Sequence, residues 1–197
     1  MNEAVKNPKS LKAQITRTSL VLAAAALLRE EGPGAVTYRK VAKWAGAASS
    51  SVGYYFESTS QLLQEAARYN MQLWIQRADN VAAEAESMDC ATCRANVVDL
   101  LVKACLPNED TQLSAHYLQL LLADESPSVT EAYRTGRASL NQAIERIVSR
   151  SGVALSSDMV SILVDGAIVQ GISEGRSARE FATEVLSTYI ETHAVMA

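Results

Sequence analysis

Between Gly53 and Gly136 the chain has no glycine, and only Pro107 and Pro127 stand in that interval as breakers. Sheet folds reverse the chain roughly every 8–12 residues and lean on glycine to do so, so this gap argues against a β-sandwich or a doubly wound sheet. Helices need far fewer such turns. At 197 residues the chain can bury roughly 70% of its unfolded surface, and it needs no disulfide or metal to hold a core. Hydrophobic residues at 48% against 20% charged are ordinary for a folded globular protein. The fold class is all-α.

The breakers and caps divide the chain into about nine helices. The first spans about Leu11 to Glu31, with Leu20, Ala24, Leu27 and Leu28 on one stripe and Gly32-Pro33-Gly34 as its stop. Thr37 caps a short second helix through Trp44, Gly46 turns the chain, and a third helix of two turns covers Ala48–Tyr54. Three short helices with a glycine turn between the last two form a helix-turn-helix. Ser58 with Gln61 then opens a long fourth helix to about Glu86, a rod of roughly 40 Å. Further helices are expected near 90–105, 110–123, 127–151, 158–175 and 177–195.

The charge is uneven. Residues 1–60 carry a net +4, and residues 61–197 a net −8. A basic head on an acidic body suggests a polyanion-binding module joined to a part that does not touch polyanions. The domains expected are therefore 1–60, with a basic arm at 1–10, and 61–197. The uncharged stretch TSLVLAAAALL follows Lys6, Lys9, Lys12 and Arg17, but Arg29-Glu30-Glu31 comes at once, with no cleavage site between. It is too short to span a bilayer, which takes about 20 apolar residues. No membrane association and a cytoplasmic location are expected.

The segments RTSLVLAAAALLREEG and TYRKVAKWAGAASSSVGYYFESTSQLL are similar to the DNA-binding domain of TetR-family transcriptional regulators. The resemblance rests on Ala23-Ala24, Gly32, Thr37, Val41-Ala42, Ala45-Gly46, Tyr54-Tyr55-Phe56 and Leu62-Leu63, and covers about residues 17–63. It implies a three-helix DNA-binding head and a helical ligand-binding and dimerisation domain. Thr37 then caps its helix, offers its hydroxyl to a phosphate, or does both, as a cap hydroxyl at a helix N-terminus can. Tyr38 and Arg39 are expected at the DNA backbone or groove edge, with Lys43 beside them. The recognition helix offers Ser49, Ser50, Ser51, Tyr54 and Tyr55, without the Arg, Lys, Asn or Gln that make bidentate base contacts. The family often has tyrosine where Gly53 stands and lysine where Thr59 stands. Lys9 and Lys12, in the arm or next to it, either reach DNA or belong to a solvated terminus.

Outside the head, Cys90-x-x-Cys93 reads as a zinc ligand pair, a redox pair or two small hydrophobes on a helix; with no second tight ligand pair downstream, no metal is expected. No phosphate loop, Gly-x-Ser-x-Gly or His-Glu-x-x-His occurs, so neither an enzyme nor a cofactor is expected. Trp74, His116, Tyr117 and Tyr133 are candidates to line a small-molecule pocket. In the last two helices, Val160, Leu163 and Ala167, with Phe181, Val185 and Tyr189, form apolar stripes. The resemblance implies that this pair builds a dimer interface. The whole reads as a homodimeric repressor that binds a palindrome in double-stranded DNA and answers a small-molecule effector. The rival is a helical protein-interaction module of the same fold that does not bind DNA.

Overall fold

In the computed structural model, residues 10–109 and 113–193 are described, and among them are ten α-helices and no strand. They pack as two compact units. The first holds the described residues up to Met71 together with Leu118–Arg134; the second holds Gln72–Tyr117 and the described residues from Thr135 onward. The boundary between these compact units falls inside the long fourth helix, and a later stretch of chain groups with the first unit. Composition could not show this, because the charge shift at residue 60 does not coincide with where the helix changes its packing partners.

In the first unit, α1 (Leu11–Glu31) starts where Ser10 Oγ accepts the Ala13 N–H at 3.3 Å. Leu20, Ala24, Leu27 and Leu28 are wholly buried. This is the one described helix long and apolar enough to cross a membrane, yet those residues fill the core of this unit. It ends at Gly32, whose φ of 82° lies in the left-handed region and whose N–H bonds to Leu28 O. A Cβ there would also sit 2.7 Å from Leu122 Cδ1. Gly32→Ala should therefore cost about 1–3 kcal/mol, read as a lowered Tm in thermal unfolding.

A single 3₁₀ turn, Pro33–Ala35, leads to α2 (Tyr38–Trp44), α3 (Ser49–Tyr55) and α4 (Thr59–Ser87). Thr37 Oγ1 accepts the Lys40 N–H to cap α2, and Gly46 turns the chain at φ 64°. At the start of α4, Ser58 Oγ accepts from Gln61 N–H at 3.1 Å while Gln61 Oε1 accepts from Glu57 N–H at 2.8 Å. That reciprocal pair fixes how the chain leaves the head. Buried Asn70 donates to Ala25 O and accepts from Arg29, tying α4 to α1.

The second unit contains α5 (Cys90–Ala95), α6 (Val97–Cys105), α9 (Ser157–Ser173) and α10 (Ala178–His193), while α7 (Leu113–Leu121) and α8 (Pro127–Ser151) are shared between the units. The helix expected at 90–105 is two, because Asn96 leaves helical geometry at φ −109°, ψ 7° and its N–H folds back on the preceding turn. Arg94 donates to Ser151 O at 2.9 Å and Gly152 O at 3.1 Å, closing the C-terminal end of α8. Ser156 Oγ caps α9 through the Met159 N–H. At Gly171 a Cβ would lie 2.8 Å from Ala178 Cα, so only glycine lets α9 meet α10 this closely.

Candidate nucleic-acid interface

The head is built from inside outward. Val41, Ala42, Val52 and Phe56 are buried, which fixes α2 and α3 by their inner faces. Phe56 is clamped from one side by the Arg17 guanidinium, 5.1 Å from its ring centroid, and Arg17 is itself paired with Glu65. The outer faces are left for solvent or a partner. On α2 these are Arg39, Lys43 and Trp44; on α3 they are Ser49, Ser50 and Tyr54, all exposed. Ser51 and Tyr55 are half-buried, and the Tyr54 and Tyr55 rings meet edge to face at 5.0 Å.

Two expected contact residues are already engaged. Thr37 is exposed but its hydroxyl oxygen serves as the cap of α2. Tyr38, expected at the DNA backbone, is half-buried, and its hydroxyl donates to the Phe56 carbonyl at 2.7 Å. The ring lies 3.6 Å from where a Gly53 Cβ would be. Tyr38 therefore straps α2 to the end of α3, a positioning role that residue type alone did not reveal. Lys40 is likewise spent on Glu31, at 2.6 Å. Arg39 and Lys43 enter none of the ion pairs among the described residues. Lys12 is exposed at the start of α1, whereas Lys9 lies outside the described residues. The half-exposed Trp44 indole was not among the expected residues; its place at the end of α2, next to Lys43, was the available signal.

Tyr133 is buried in the first unit, while Trp74 and Tyr117 are buried in the second, and His116 lies on α7. Tyr117 donates to Asp165 Oδ1 at 2.8 Å, and Arg137 stands 3.7 Å from the same carboxylate. Burial, then the neighbouring Asp165 charge, pushes the Tyr117 hydroxyl pKa far up. Burial likewise raises the nearby Cys105 thiol to about 12, so it stays protonated. The second unit has a groove of about 540 Å³ lined by Leu73, Arg77, Asn80, Val81, Lys103 and Pro107 among others.

The stripe of α9 expected to face a partner is mostly internal. Val160 and Ala167 are buried within their own chain, with Leu163 half-buried. The reason is that α9 is apolar on two faces, and periodicity cannot say which one packs inward. The outward face carries Ile162, Val169 and Ile172, exposed by 64%, 40% and 38%. On α10, Phe181, Val185 and Tyr189 are half-buried; Phe181 lies under the Arg176 guanidinium and Tyr189 stacks on His193.

An exposed helix pair on a buried three-helix core is the geometry of a helix-turn-helix head. Residues 20–66 match the sequence profile of the bacterial regulatory proteins of the tetR family, so the chain carries that family's N-terminal domain. Solved structures agree over nearly the whole chain. A candidate transcriptional regulator from Saccharomonospora viridis in complex with choline aligns with TM-score 0.69 and 21% identity, over 93% of this chain and 100% of that one. SmeT, the repressor of the Stenotrophomonas maltophilia multidrug efflux pump SmeDEF, aligns with TM-score 0.61 and 14% identity, over 91% and 90%. The multidrug binding protein EbrR complexed with imidazole aligns with TM-score 0.59 and 19% identity, over 92% and 95%. The fold is that of TetR-family transcriptional regulators. No curated protein matches the sequence.

Proposed function

We propose that the chain is a cytoplasmic, ligand-responsive repressor that binds a palindromic DNA operator as a homodimer and is released by a small-molecule effector. The observation that carries this is the outer surface of α2 and α3: Arg39 and Lys43 exposed outside the described ion pairs, beside Ser49, Ser50 and Tyr54. The cations supply phosphate attraction, while small serines let the helix sit deep enough for direct or water-bridged contact to base edges. The family matched is one of regulators, which supports regulation rather than catalysis. Choline and imidazole in two proteins of this fold support the effector. The outward aliphatic face of α9, with Val185 and Tyr189 of α10, is where a second copy would pack.

Purified protein should bind duplex DNA with an affinity that falls steeply as salt rises. Salt-insensitive or undetectable binding would favour the protein-interaction reading instead. The arm supplies a second expectation. If Lys6 and Lys9 enter a narrow A·T-rich minor groove, removing residues 1–10 lowers affinity more for A·T-rich flanks than for G·C-rich ones. Identical flank preference in competition binding, with and without the arm, would exclude arm-based readout.

A further inference from the structure

The groove of the second unit is bounded on one side by a single face of α4: Leu73, Gln76, Arg77, Asn80, Val81 and Glu84 recur at three- and four-residue spacing. Arg77 sits in the middle of this face with an apolar residue one turn to either side. Its Nη2 donates to Cys105 O at 3.2 Å and its Nε to Ala104 O at 3.4 Å. Both acceptors are backbone carbonyls at the C-terminal end of α6, which carry partial negative charge but no full counter-charge, and a guanidinium has five N–H donors to place. Among the described residues no ion pair uses Arg77. Burial lowers its pKa from the ordinary arginine value, and the like-charged Arg179 acts in the same direction. The other groove cation differs: Lys103 is taken up by Glu84 at 2.7 Å.

A half-buried cation held by backbone carbonyls is desolvated without a full counter-charge, a state that an incoming anion relieves. Leu73, Val81 and Pro107 offer apolar contact close to it, and the volume suits a small organic molecule. We infer that this groove takes a small organic carboxylate, its carboxylate paired with Arg77 and its apolar body laid on Leu73, Val81 and Pro107. Glu109 also lines the groove, and a carboxylate close to the site disfavours an anion there. The groove serves as the effector site only if the regulator reading above holds, but occupancy can be read without DNA.

The test is thermal unfolding of the full-length protein without DNA, in sodium benzoate, benzamide or tetramethylammonium chloride, each at about 10 mM and matched for ionic strength. Benzoate is expected to raise Tm, while the neutral isostere and the cation leave it unchanged. Arg77→Gln should weaken the benzoate response roughly 10-fold or more, and Glu109→Gln should strengthen it. Asn80→Trp fills the groove while leaving the Arg77 residue itself unchanged and should abolish the response, so the test survives if the Arg77 variant fails to fold. An equal shift with benzamide, a shift with tetramethylammonium alone, no shift with benzoate, or an unaltered response in Asn80→Trp would each overturn the assignment. A benzoate shift in a protein that binds no DNA would keep the site and discard the regulator.

Discussion

Ile162→Asp combined with Val169→Glu should turn the protein into a monomer that holds operator DNA roughly 100-fold or more less tightly than the wild type. Both side chains lie on the outward face of α9, at 64% and 40% exposure, so neither charge disturbs the core packed by Val160, Val164 and Ile168. Folding stability of the isolated chain should therefore change little, while association is lost because two carboxylates meet their symmetry copies across an apolar seam. The loss of DNA binding follows from geometry: a palindrome is read by two heads, and one head forfeits the second half-site. Sedimentation velocity at micromolar protein measures the first effect and a DNA-binding titration the second. A wild-type protein that sediments as a monomer would remove the premise.

The second large effect is expected in the head. Arg39→Ala with Lys43→Ala should weaken binding to every DNA sequence alike and flatten the dependence of log affinity on log salt by about one to two units. Each cation that neutralises a phosphate releases its share of counterions, so the change in slope measures how many phosphates these two side chains neutralise. Both side chains are exposed and outside the described ion pairs, so the unfolding transition should stay within about 0.5 kcal/mol of wild type. That separates weakened phosphate attraction from a damaged fold. An unchanged salt slope would move the phosphate contacts to Lys12 and the arm.

Local rules carried most of the secondary structure. Gly32 and Gly46 do adopt positive φ, Thr37 and Ser58 do cap α2 and α4, and Pro127 does open α8. These features are set by neighbours a few residues away, and so they are visible in one sequence. What depended on distant partners was less visible. The break at Asn96 has no glycine or proline to announce it. The return of Leu118–Arg134 to the head rests on packing such as Leu122 against Gly32, which no local pattern encodes. Tyr38 looked like a surface residue because its acceptor, the Phe56 carbonyl, lies 18 positions away. The burial of Trp74, Tyr117 and Tyr133 likewise depends on distant partners, so aromatic identity alone could name them as ligand candidates but not place them.

The most direct test of the central claim is selection of bound duplexes from random DNA by the purified full-length protein. The regulator reading predicts a twofold-symmetric consensus with half-sites about one helical turn apart, roughly 34–36 Å. It also predicts that binding to this consensus is lost in the Ile162→Asp, Val169→Glu variant. Enrichment of no sequence above the starting pool, at low salt where even weak phosphate contacts hold, would contradict it.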